Sequence, residues 1–291
     1  MALDRTPEWD QEHARRHKTP ARLLRQLVAV LARWFPDRHF VLAGDGGYGS
    51  HEMAAFAHRH RRHVTLISRF VPNAGLYEPP PPYSGTGRPR VKGAKLPNPA
   101  AVVAATSSTP LEVSWYGGGR RAVEVVAGTG QWYKSGEGLV PLSWVFVRDK
   151  TGTHRDDYFF STDVEMAPRA VIEGFTGRWS IETTFQEMRA YVGLETTRGR
   201  REATVLRVAP CLFGLFSVVA LLYERLRSRG RATAKVSWSG KSEVTFSDAM
   251  TTVRRWLWVD WVFANHSQGA AFSKLSRPLR ETLLSALAPA A

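Results

Sequence analysis

The chain has a single cysteine, Cys211, in 291 residues. That excludes an internal disulfide framework and any cysteine-rich zinc site, and its apolar neighbourhood predicts a small buried side chain. Nine histidines show no ligand spacing. His58, His60 and His63 stand among Arg59, Arg61 and Arg62, which would repel a metal ion. No leader is expected, because Met1-Ala-Leu-Asp-Arg5 runs straight into charged residues. The longest apolar stretch, Val208 to Tyr223, is broken by Pro210 and Gly214 and falls short of a bilayer span. A buried helix, no membrane and a cytoplasmic location are the expectations. No internal repeat is visible.

Acids are also scarce. Forty Lys and Arg face 26 Asp and Glu, a formal charge of +14. Such a field favours a polyanion such as DNA, held in a salt-sensitive way. The excess gathers at His58–His63, at Arg198, Arg200 and Arg201, and along Arg225–Arg231.

Residues 1–19 are polar and read as irregular, and Ala21–Trp34 carries apolar residues at helical spacing up to Pro36. Phe40-Val-Leu-Ala-Gly-Asp45 is an apolar run ending in a carboxylate, as at the end of a buried strand. Ser50 can cap the next helix, 51–61, with Glu52 in its first turn, and Val64–Ser68 is a second strand. The unit is β-α-β, with Asp45 at the carboxyl end of its first strand. Gly44-Asp-Gly-Gly-Tyr-Gly49 also spells the dinucleotide fingerprint, and Arg69 would suit a 2′-phosphate. An NADP-binding Rossmann oxidoreductase is therefore a rival. It lacks the β-α repeats that should follow, because beyond residue 70 the chain turns loop-rich and β-like.

Glu78–Arg90 is a basic, proline-rich crossing with little capacity to fold alone. Strand-like pieces follow at 112–116, 121–126, 142–148 and 157–162, the last two flanking a Thr151-Gly-Thr turn. Trp132, beside Tyr133 and Lys134 and flanked by glycines, is a candidate for stacking on an exposed base. Residues 203–228 and 248–262 read as helices that cover a central sheet.

Gly174–Arg189 places Phe175, Arg178, Glu182 and Arg189 three, four and seven positions apart. At about 3.6 residues per turn these share one helical face. A carboxylate flanked by guanidiniums and a ring suits a phosphodiester: the acid holds a metal, the arginines hold phosphate oxygens and the ring stacks. A salt-bridged amphipathic helix has the same spacing. Trp179, Ile181, Phe185 and Met188 imply that the helix is packed, with Glu182 among apolar neighbours and holding a cation.

Arg178-Trp-Ser-Ile-Glu182-Thr-Thr-Phe, followed by basic Arg189, resembles the C-terminal signature of DDE-type bacterial insertion-sequence transposases. In one large group it reads Tyr, Arg, Glu, Lys at this spacing; here Phe175 stands for Tyr and Arg189 for Lys. The resemblance implies Glu182 as the third acid of a metal triad and Asp45 as the second. It implies DNA contacts from Phe175, Arg178 and Arg189, with the hydroxyl of Tyr lost at Phe175. Arg198, Arg200 and Arg201 extend that basic surface.

The implied fold is an α/β, RNase H-like mixed sheet flanked by helices, with a β-rich insertion between the second and third acids. On this reading residues 1–70 are a partial core, 71–166 the insertion, 167–230 the signature helix and completion of the core, and 231–291 a C-terminal helical region. The implied chemistry uses two Mg²⁺ or Mn²⁺ ions about 4 Å apart to cleave DNA and join it to a target. Self-association on transposon ends is part of it.

The first acid is missing from this pattern. Only 44 residues precede Asp45, and Asp4 and Asp10 sit in no strand pattern. The expectation is a chain lacking its N-terminal part, through a decayed element, a second reading frame or a misplaced start, and inactive alone. A non-catalytic DNA-binding remnant or regulator is the alternative. Either way the Asp45 strand would expose an unpaired edge.

Overall fold

A computed structural model describes residues 6–195, 204–234, 241, 244–265 and 269–289. The chain forms two compact units, Met1–Ser180 and Ile181–Ala291.

Threonine and proline start the first two helices. Thr6 accepts from the Trp9 N–H at 3.2 Å and Thr19 from the Arg22 N–H at 3.3 Å. Pro7 and Pro20 follow them, at the position where a missing N–H is harmless. These caps open α1 (Pro7–Glu12) and α2 (Pro20–Trp34). α1 corrects the reading of residues 1–19 as irregular. Its first turn carries Glu8 and Asp10, and buried Asp10 is fastened to His17 at 2.9 Å.

β1 (Phe40–Ala43) and β2 (Val64–Arg69) are parallel, joined by α3 (His51–Arg59), with Phe40 opposite Val64 and Ala43 opposite Ile67. Ser50 caps α3 by accepting from the Met53 N–H, and Glu52 in its first turn pairs with Arg25 at 2.6 Å. There follow β3 (Leu76–Tyr77), α4 (Pro99–Ala105), β4 (Thr109–Ser114), β5 (Arg120–Lys134), β6 (Gly138–Asp149) and β7 (Asp157–Ser161). The sheet order is β1-β2-β7-β6-β5-β3, with β4 also on β5. Beyond the β1–β2 pair every ladder is antiparallel. The result is a seven-stranded mixed sheet flanked by helices, and the strands of the middle region continue the sheet of β1 and β2.

Alternation sorts the two faces. Leu66, Phe70, Leu142, Trp144, Phe146 and Phe160 pack with Met53 and Phe56 of α3 and Val28 of α2. Ile67, Val145, Val147 and Phe159 pack on the other face with Val171, Ile172 and Phe175 of α5 (Pro168–Thr176). β1 lies at one end of the sheet, and Val41 is 53% exposed, so the strand expected to be buried is a half-open edge. The proline-rich crossing is strapped down where it ends. Lys92 Nζ sits 4.1 Å from the ring centres of both Tyr77 and Tyr133, and Gly93 and Leu96 donate to Glu78 and Leu76 carbonyls.

The second unit holds α6 (Ser180–Glu187, beginning at the boundary), α7 (Ala209–Ser228), α8 (Phe246–Trp256), α9 (Gly269–Lys274) and α10 (Arg277–Leu287). Val219, Leu226, Phe246, Met250 and Val253 form its core. A Thr245–Asp248 capping box starts α8, Glu187 accepts from the Phe246 N–H at 3.1 Å, and Lys241 pairs with buried Asp248. Thr204–Ser228 is long and apolar enough to cross a membrane by length and composition. Only Val219 and Leu226 of α7 are buried, because α8 covers one side of it. The expected buried helix therefore leaves Leu215, Val218 and Leu221 exposed, and Cys211 is exposed with them.

Candidate functional site

Asp45 lies two residues beyond β1, on a turn closed by the Tyr48 N–H to the Asp45 carbonyl at 3.0 Å and the Gly49 N–H to the Gly46 carbonyl at 3.2 Å. Its carboxylate accepts from the Gly47 N–H at 3.1 Å, a local Asx turn that aims the side chain. β2 clamps this turn. Buried Ser68 donates to the Gly44 carbonyl at 3.0 Å and the Asp45 carbonyl at 2.8 Å. A Cβ on Gly49 would stand 2.5 Å from the Arg69 carbonyl oxygen, so only glycine lets the turn press against the strand. Asp45 itself is exposed.

Arg69, the last residue of β2, shares this end of the sheet. Its side chain is on the α5 face, with Ile67, and a Cβ on Gly46 would lie 4.0 Å from its Cδ. Nη2 donates to Asp157, the first residue of β7, at 3.3 Å. The guanidinium carbon stands 5.7 Å from the Phe175 ring centre, and that of Arg178 stands 5.6 Å from the same ring. Tyr116 is close enough to feel both arginines and Asp157. Burial, with help from Asp157, raises the Tyr116 pKa despite the arginines. Burial likewise raises that of Asp157 against the pull of Arg69 and Arg155.

The surroundings are stiff. Phe175 is buried and stacked on Phe159 at 4.3 Å. Gly174 lets α5 approach β2, because a Cβ there would meet the Ile67 methyl at 2.6 Å. Tyr116 stacks on His154, in the β6–β7 turn. Asp149 organises that turn, accepting from Arg121, from Thr151 and Thr153 hydroxyls, and from the Thr151 and His154 N–H groups. Burial alone would raise its pKa, but these bonds outweigh it and hold the carboxyl far below the usual range.

Several expected site residues stand differently from the sequence reading. The signature is not one uniform α-helix. α5 passes into a 3₁₀ turn at Gly177–Trp179, then α6, then a π turn at Met188–Val192. The spacing reading assumed a constant pitch of about 3.6 residues per turn, from which these turns depart. Buried Phe175 offers no face for a base; it supports guanidiniums instead. Glu182 was expected among packed neighbours. It is exposed, as are Trp179 and Ile181, and α6 buries no residue. Glu182 and Arg189 belong to the second unit, where Arg189 pairs with Glu195 at 2.8 Å. The Trp132 ring packs edge-on against Phe70, Phe160 and His51, within the core beneath α3. Arg198, Arg200 and Arg201 lie outside the described residues. Ser68, Tyr116 and Asp157 were not singled out for this site, and Arg69 was named only for a 2′-phosphate in the dinucleotide reading of the same turn.

Residues 4–122 match the model of a family described as DDE superfamily endonuclease. The match takes in β1, the Asp45 turn, α3 and β2, and stops before the signature helix. Over that stretch the chain is similar to DDE-type, transposase-like endonucleases. Its mixed sheet with flanking helices is consistent with the RNase H-like fold of DDE enzymes. Among curated proteins, no sequence matches. The dinucleotide reading of Gly44–Gly49 fails on topology: after β2 the sheet continues antiparallel, without the second β-α-β half.

DDE nucleases generally use divalent metals and act on DNA. Carboxylate oxygen suits Mg²⁺ or Mn²⁺, and exposed Asp45 is such a donor. Among the described residues, however, no group of three His, Cys, Asp or Glu side chains is placed to hold an ion.

Proposed function

We propose that this protein is a transposase of the insertion-sequence type, working on DNA phosphodiesters at the carboxyl end of β1 and β2. The observation that carries the reading is Asp45 on its clamped turn, inside the region that matches DDE endonucleases and with the Arg69 side chain next to Gly46 of that turn. Asp45 is the proposed metal-holding carboxylate of the first unit. Glu182 is proposed as a second, on its place in the Arg-Trp-Ser-Ile-Glu signature alone. Resident Mg²⁺ or Mn²⁺ would supply charge neutralisation and an activated water or 3′-hydroxyl. The chain's own part is to bind the backbone and orient it. Strand transfer, self-association on DNA ends and a cytoplasmic location belong to the same reading.

A second reading is DNA binding without cleavage; it is favoured by the lack, among the described residues, of three His, Cys, Asp or Glu side chains placed to hold an ion. On either reading purified protein retains duplex DNA in a salt-sensitive way, and on the second it leaves that DNA uncut with Mg²⁺ or Mn²⁺. Cleavage abolished by both Asp45→Asn and Glu182→Gln would instead establish the chain as a complete nuclease. Loss of DNA binding at low salt would sink both readings.

A further inference from the structure

We infer that Arg69 is a phosphate-binding residue, forming with Arg178 a two-guanidinium seat for a backbone phosphate beside Asp45. The inference rests on the DNA-directed reading above and names a residue that neither the family match nor the signature assigns.

Three observations converge on it. The first is position. Arg69 ends β2 on the same side of the sheet as the Asp45 turn, with Gly46 next to its side chain. A phosphate bound there lies where a scissile bond near Asp45 would have its neighbour.

The second is the convergence of charge. Two guanidiniums stand within 6 Å of one ring centre, and Tyr116 senses both. An anion that reaches both is held from two sides. A planar fork also matches phosphate oxygens two at a time, which a lysine does not.

The third is that Arg69 is held rather than consumed. Its side chain is 39% exposed. Asp157 takes a bond from Nη2, one of the five N–H donors a guanidinium carries. Phe175, locked by Phe159 and by the close approach at Gly174, fixes the plane against which both cations lie. Asp157 thus orients Arg69 before DNA arrives.

The test is the salt dependence of binding to a short mixed-sequence duplex, followed from about 50 to 200 mM salt. Each phosphate contact contributes about 0.9 to the slope of log K against log salt. Arg69→Gln is expected to lower the slope by about that amount, whereas Arg33→Gln, on the exposed end of α2, leaves it nearly unchanged. A fall at Arg33 equal to that at Arg69 would overturn the assignment, since any lost charge would then do the same. A wild-type slope kept in Arg69→Gln overturns it while the DNA reading stands; no wild-type binding overturns both. A second measurement needs no variant. Phenylglyoxal labelling of the intact protein, read by mass spectrometry, should fall at Arg69 when duplex is bound. Labelling that is unchanged at saturation would equally defeat the assignment.

Discussion

Asp149 shows how one carboxylate can shape a site that it does not touch. Its bonds fix the β6–β7 turn, which carries His154 against Tyr116, and Tyr116 in turn borders Arg69. Asp149→Asn leaves the hydroxyl, amide and guanidinium donors around this buried side chain poorly matched, and is expected to cost about 1–3 kcal/mol in urea unfolding. The pH dependence has a definite sign. The folded pKa is depressed below the ordinary 3.8, so the stabilisation is fully present above that value. It disappears as pH falls through the depressed folded value. The gap between wild type and Asp149→Asn should therefore be constant at neutral pH and close only in strong acid. A gap that closes near pH 6 would contradict this assignment.

At the scale of elements, the glycine turn after β1 separates two readings of the same letters. In a dinucleotide fingerprint the middle glycine must be bare, so that backbone can meet a pyrophosphate. Here Gly46 has room for a Cβ and Gly49 does not, because the Arg69 carbonyl stands 2.5 Å away. Gly46→Ala should leave the thermal midpoint within a degree or two, while Gly49→Ala should lose about 1–3 kcal/mol through overpacking against backbone. Equal effects would mean that the turn is not pressed on β2. Much at this scale was legible in sequence. Ser50, Glu52 and the apolar runs marked β1-α3-β2, and Thr151-Gly-Thr marked the β6–β7 turn. α1 was missed because its cap, Thr6-Pro7, was lost in polar sequence. The breaks in the signature helix were missed because a periodic pattern assumes constant pitch. The site beyond Asp45 was hidden for a simpler reason. Arg69, Tyr116, Asp157 and Arg178 are far apart in the chain, and only strand pairing and the α5 packing bring them to one end of the sheet.

For the molecule as a whole, exposed apolar surface sets the behaviour in solution. Leu221 on α7 is 70% exposed, and Leu215 and Val218 lie on the same helix. Leu221→Lys should therefore leave the unfolding midpoint almost unchanged and lower light scattering at high protein concentration; a large loss of stability would show that Leu221 is a core residue. The crossing after β3 has a consequence of another kind. Lys92 is clasped by Tyr77 and Tyr133, while Arg88 is followed by proline and Arg90 stands exposed just ahead of the clasp. A brief digestion with trypsin should open the peptide bond after Arg90 and spare the one after Lys92, as intact-mass measurement would reveal. The two pieces should then elute together from a sizing column, since β2 and β3 on one side of the nick are laced to β5 and β7 on the other. What looks in sequence like a tether between parts is a seam whose severing leaves the particle whole.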